Sequence, residues 1–265
     1  MNEVVTYRQI YKYDPTRTIS LRNYFARDMK RRFNELITVL KKSIITNDCF
    51  GLHPISIFQM TPASKNSMAY KDSSEKLALF ALWLQDQIDK GIINIGTFNF
   101  VGTGINNAWM NPCIRDAYER GVIRARQEMR KSVRDIPTID ESGGIRVVTN
   151  NPKHNDLIAL LYLRIVNELK GLTDSMKASI LYILAQGITA GDSAEVLAGK
   201  LTAIVPLARA AMIARTAIIM AFAEGQLTEF ENWGVSGVTA EVEVATAGDE
   251  KVCAECASME GQVYT

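Results

Sequence analysis

Apolar residues recur every three or four positions along most of this chain, and that spacing predicts a succession of helices. Leu21, Phe25, Met29, Phe33, Leu36, Leu40 and Ile44 define the first, about 27 residues and ~40 Å long. Ser73 or Ser74 caps a second, with Leu77, Phe80, Ala81, Leu84 and Ile88 inward and Gly91 at its end. Asn111-Pro112 opens a third that runs to about Lys131, with Ile114, Ala117, Tyr118, Val122, Ala125 and Met129 inward. Pro152 opens a fourth, lined by Leu157, Leu160, Leu161, Ile165 and Leu169 and stopped by Gly171. Thr173 caps a fifth, lined by Met176, Ile180, Ile183, Leu184 and Ile188 and ended by Gly191. A short helix from about Ser193 to Ile204 then leads into a long apolar one from Pro206 to Trp233.

The period changes after Gly234. Val238, Ala240, Val242 and Val244 alternate with Thr239, Glu241 and Glu243, which predicts a half-buried strand. Gly248-Asp249 marks a turn, and Cys253 and Cys256 follow as a CxxC pair. The expected fold is therefore mainly α with a small α+β C-terminal unit, a short strand followed by a cysteine knuckle. Pro137, Gly143-Gly144 and Asn150-Asn151 make the best boundary in the chain. They divide it into a basic helical N-terminal domain (1–136), a linker (137–151) and a C-terminal domain (152–265), whose helices occupy 152–233 and whose strand and CxxC unit occupy 238–265.

Composition adds little until it is split by region. The net charge of +1 over 265 residues carries no global signal for nucleic acid. From Arg17 to Lys42, however, eight Lys/Arg stand against two acids, and from Glu224 to Glu260 nine acids stand against one lysine. On the first helix the outer face carries Arg22, Arg27, Lys30, Arg31, Lys41 and Lys42, and on the third Arg120, Arg124 and Arg130. Two readings of these faces stand: a solvated surface, or a footprint for phosphate or an acidic partner without base-specific contact.

The opening MNEVVTYRQIYKYD has neither the basic nor the apolar region of a secretory signal, so synthesis in a cytoplasm is expected. Ala210 to Ala223 is too short to span a bilayer and holds Arg215 at its middle, so a core helix and no membrane contact are expected. A guanidinium in such a helix needs acceptors, and Arg215 is read as a buried charge that anchors the acidic tail.

Chemistry-bearing motifs are few. Cys253 and Cys256 could be free thiols, half of a zinc site, or a redox pair, and tetrahedral zinc would need two further ligands. Gly102-x-Gly104 lacks the third glycine of a dinucleotide fingerprint, and Gly191 to Lys200 has the wrong spacing for a phosphate loop. His53 lies in a connector, and His154 is read as a polar residue at a helix start. No catalytic role is expected.

One resemblance emerges from particular residues. Ala214-Arg215-Thr216, Gly234, Gly237-Val238, Thr246-Ala247-Gly248-Asp249, Val252-Cys253, Cys256, Gly261 and Tyr264 resemble the C-terminal signature of the phage head morphogenesis family, the Mu F-like minor head proteins. Leu21-Arg22, Arg31-Arg32-Phe33, Phe50-Gly51-Leu52, Trp109, Gly121 and Gln186-Gly187 resemble its earlier sections, so the likeness extends over nearly the whole chain from Asp14. Polar residues usual in the family are replaced by Ala217, Met220 and Phe222, and its closing His/Cys segment is not present before Thr265.

The resemblance implies a non-catalytic minor capsid protein of the virion, held inside the head near the portal vertex and acting in head assembly and DNA packaging or ejection. It also implies the portal and other head proteins as partners, with packaged double-stranded DNA contacted through its backbone. The alternatives are a Mu F-like enzyme or effector domain and a non-specific DNA-binding accessory protein.

Overall fold

The computed structural model describes residues 16–52, 73–93, 108–133, 135–233, 242–243 and 254–264. Helix α1 (Ile19–Lys41) continues into a wider π-helical turn, Lys42–Thr46, and α2 (Ser73–Ile88) does the same through Asp89–Ile93. Gly91 therefore lies inside a helical turn and does not end the helix. α3 (Asn111–Ser132) is followed by a single turn, α4 (Ile145–Val148), and then by α5 (Pro152–Ala190), α6 (Ala194–Ala203) and α7 (Leu207–Asn232). The ends follow local chemistry. Asn151 caps α5 by accepting from the His154 N–H, Gly191 closes it in the left-handed region at φ 75°, and Ser193 caps α6 by accepting from the Val196 N–H.

Two expected helices are one. α5 runs through Gly171 for 39 residues, about 58 Å. Its buried residues Leu169, Leu172, Thr173 and Met176 keep helical spacing across the glycine, so burial continues where the propensity dips. Gly171 faces open space, and Thr173 donates its hydroxyl to the Leu169 and Lys170 carbonyls as a mid-helix residue instead of a cap.

α7 lies at the centre, packed most extensively on α3, then on α1 and α5. The α3–α7 crossing is close because it is made at glycines. A Cβ on Gly121 would overlap the Phe222 carbonyl oxygen, and one on Gly225 would overlap that of Tyr118. Neither clash is with a flexible side chain, so larger residues there would force the backbones apart.

One continuous cluster of buried residues runs from Phe25 in α1 to Ala221 in α7. The segment expected to link two domains lies within this shared structure. Ile136 is buried, and the Pro137 and Ile136 carbonyls accept from Arg126 and Arg130 of α3.

The α+β unit is a correction. Of the strand expected over Val238–Val244, only Val242–Glu243 lie among the described residues, and they form a two-residue antiparallel bridge, β1 (Val242–Glu243) with β2 (Val263–Tyr264), Val242 opposite Tyr264. Alternation creates a face but supplies no neighbouring strands, and so short a pair is not a stable layer. Between them Ala254–Ser258 forms α8, a short helix that includes Cys256, while Cys253 lies outside the described residues. Among the described residues no cysteine knuckle is seen, and the fold is mainly helical.

Candidate functional site

The structure sorts the expected cations into spent and unspent ones. On α3, Arg120 pairs with Asp116 at 2.9 Å, Arg124 with Glu128 at 2.5 Å, and Lys131 with Glu128 at 2.6 Å. Arg130 reaches Glu141 at 3.5 Å and donates to the Ile136 carbonyl at 2.9 Å. The carboxyl of Glu128 is held below the usual range by the hydrogen bond from Lys131 and by the charges of Arg124 and Lys131, against partial burial. Local pairing offsets much of this charge, although Glu128 alone serves both Arg124 and Lys131, and such exposed pairs leave little field at a distance. On α1, Arg31 bridges Asp28 and Glu35 in the same way, and Arg22 is half-buried.

Arg27, Lys30, Lys41 and Lys42 differ. All four are exposed and make no ion pair among the described residues. Lys41 falls about 20° around the helix from Lys30, so Arg27, Lys30 and Lys41 form a stripe about 21 Å long.

Arg215 joins them. It is exposed, which corrects its expected burial, and it lines a surface groove between α1 and α7 with Ile19, Ser20, Asn23, Ala26, Arg27 and Lys30. Among the described residues no acid lines this groove. The apolar run around Arg215 packs through Ala211, Ala214 and Ile218, and position 215 falls on the flank of that buried face, next to α1, where its guanidinium is exposed. The groove thus presents three cations with the hydroxyl of Ser20 and the amide of Asn23, a donor set suited to phosphate or carboxylate oxygens.

A second cluster, not expected from the sequence, lies at the other end of α7. Arg126 of α3 forms a salt bridge with Glu229 of α7, and their side chains are 5% and 1% exposed. The same guanidinium donates to the Pro137 carbonyl and to Ser142 Oγ, each at 3.0 Å, and lies over the Trp233 ring at 4.7 Å. Trp233 Nε1 donates to Glu229 at 2.9 Å. His154, 0% exposed, has Nε2 2.8 Å from the Asn232 amide and 3.5 Å from Glu229, and Nδ1 2.8 Å from the Tyr118 hydroxyl. Burial pushes the Tyr118 phenol up to about 12.

His154 is thus a buried junction of α3, α5 and α7 instead of a terminal polar residue. The sequence signal for this cluster was an acid, Glu229, on the inward side of an apolar helix, four residues beyond Gly225. Residue types suited to acid–base chemistry meet here with Tyr118, His154 and Glu229 buried, and the arrangement joins α3, α5 and α7.

Of the cysteines, Cys253 lies outside the described residues and Cys256 is described only through its backbone in α8. Cys49 and Cys113 are buried with their thiols pushed up chiefly by burial, Cys113 to about 11, which makes them poor nucleophiles and ligands. Among the described residues no group of three or more His, Cys, Asp or Glu side chains is placed to hold a metal. The span Ala194–Asn232 contains a window long and apolar enough to cross a membrane by length and composition, and ten residues of α7 are buried in the fold. No protein-family model matches the chain, and neither curated proteins nor solved structures give a match.

Proposed function

We propose that the chain is a non-catalytic structural component of a bacteriophage head, a minor capsid protein carried beside the portal. In this role it supports head morphogenesis and DNA packaging or ejection, and its cationic groove meets a polyanionic surface, packaged DNA or an acidic face of the portal. The observation that carries the binding half is the groove itself, where Arg27, Lys30 and Arg215 lie together and no acid among the described residues lines it. The virion half is supported by the resemblance of Ala214-Arg215-Thr216 and the C-terminal residues to the head morphogenesis signature.

The test is peptide counting on purified particles before and after DNA release, with a portal pull-down in parallel. A fixed low copy number that follows the portal is expected. Absence from particles overturns the virion role. A free protein that binds duplex DNA with a steep salt dependence and has no affinity for portal favours the DNA-binding accessory reading instead.

A further inference from the structure

The outer side of α7 carries a second feature beside the groove. Met212, Thr216, Ile219, Ala223 and Leu227 are spaced four, three, four and four apart, which makes them successive neighbours on one line about 22 Å long. No charge interrupts the line. Met212 is 57% exposed, Ile219 40% and Leu227 45%. The opposite side of α7 already supplies the core, so this apolar row is not needed for packing within the described fold. α1, by contrast, turns charged residues to solvent.

The N-terminal half of the row has a cationic rim, while Glu224 and Glu231, the latter paired with Lys153 at 2.8 Å, stand beside Leu227 at its other end. Along one edge lie Arg27, Lys30 and Arg215, and along the other Arg209 stands in a depression between α5 and α7 with Asn167 and Leu172. Glu168 in that depression is engaged by Arg164 at 3.2 Å. Apolar anchors at the centre with unpaired charges at the edge are the anatomy of a protein interface.

We infer that this face receives an acidic amphipathic helix of a partner protein. The partner's apolar stripe lies along Met212, Ile219 and Leu227, and carboxylates on its flanks meet Arg27, Lys30 and Arg215 on one edge and Arg209 on the other. Charge complementarity selects this occupant. A DNA backbone would use the cations and leave the apolar row without a partner. A bilayer surface would meet a row one residue wide with a depression on either side. The inference deepens the binding role proposed above, and it stands or falls separately from a place in the virion.

The experiment uses the full chain and fluorescence anisotropy with a designed helical peptide of about 18 residues, five turns, carrying Leu at heptad a and d positions and Glu at e and g. A Lys-for-Glu version, duplex DNA, and vesicles of phosphatidylcholine with phosphatidylglycerol are the competing probes. The acidic peptide is expected to bind, and the Lys version at least about tenfold more weakly. Met212→Ser with Ile219→Ser, and Arg27→Glu with Arg215→Glu, are each expected to weaken binding about tenfold or more, with helix content by circular dichroism unchanged because the positions are exposed. The proposal is overturned if the acidic peptide does not bind, if the serine variant binds it unchanged, or if DNA or vesicles compete it off and are insensitive to the serine substitutions. Absence of the protein from particles would overturn the virion role and leave this result standing.

Discussion

α7 handles charge in opposite ways at two places about four turns apart. At Glu229 the charge is buried and every neighbour answers it, with a guanidinium paired to it, an indole N–H donating to it, and a histidine beside it. At Arg215 the charge is exposed, and its groove neighbours Arg27 and Lys30 repeat its sign. Burial forces satisfaction, because an unanswered charge in the interior would cost more than the fold can offset. Water removes that demand at the surface. A cluster of like charges persists there at little cost, and it remains available to a ligand. The buried cluster is therefore architecture, and the exposed one is the proposed binding site.

The sharpest way to break this contrast is to remove one partner at the buried end. Glu229→Gln leaves the Arg126 guanidinium enclosed without its counter-charge, and a loss of about 3–5 kcal/mol is expected in urea unfolding. Replacing both residues, Arg126→Met with Glu229→Leu, is expected to recover much of that loss, because no orphaned charge remains. A Glu229→Gln protein as stable as the parent would mean that the pair is not closed to water.

Alkaline pH tests the same cluster more gently. Tyr118 has its folded pKa raised from 10 to about 12, chiefly by burial. Below pH 10 the neutral phenol suits both folded and unfolded chains, so its contribution is fully present. Between about pH 10 and 12 the unfolded chain ionises first, and stability falls with rising pH, by at most roughly 2–3 kcal/mol for this residue. Urea midpoints measured across that window should fall for the parent and fall less for Tyr118→Phe. Equal slopes would show that Tyr118 ionises as freely folded as unfolded.

What the sequence made legible follows from which interactions are local. Spacing alone predicts the inner face of α1 and its π-helical continuation, where Phe25, Met29, Phe33, Leu36, Leu40 and Ile44 are buried and Leu21 is half-buried. Periodicity had less to say where the chain is apolar all round. In Leu157-Ile158-Ala159-Leu160-Leu161-Tyr162 the phase is ambiguous, and the fold buries Ile158 and Tyr162 while Leu160 is 59% exposed. Gly171 was overweighted because a local propensity was set against burial that the rest of the chain supplies. The Arg126–Glu229 pair joins residues 103 apart, and no local pattern encodes such a meeting. Arg215 was misplaced for the converse reason. An apolar neighbourhood in sequence is not an apolar neighbourhood in space, because α7 is apolar on its outer side as well.

Arg215 also gives the smallest effect, and its sign is informative. A buried anchor replaced by alanine would cost the fold several kcal/mol. An exposed guanidinium beside Arg27 and Lys30 should cost nothing, and relief of like-charge repulsion should leave Arg215→Ala level with the parent or more stable by a few tenths of a kcal/mol at low salt. Added salt screens the groove, so any gain should shrink towards zero near the 8 Å Debye length of about 0.15 M ionic strength. Urea midpoints at two ionic strengths measure this directly. A loss above about 1 kcal/mol, unchanged by salt, would mean that Arg215 has an acceptor inside the protein, and the groove would then have to be read as part of the fold's support.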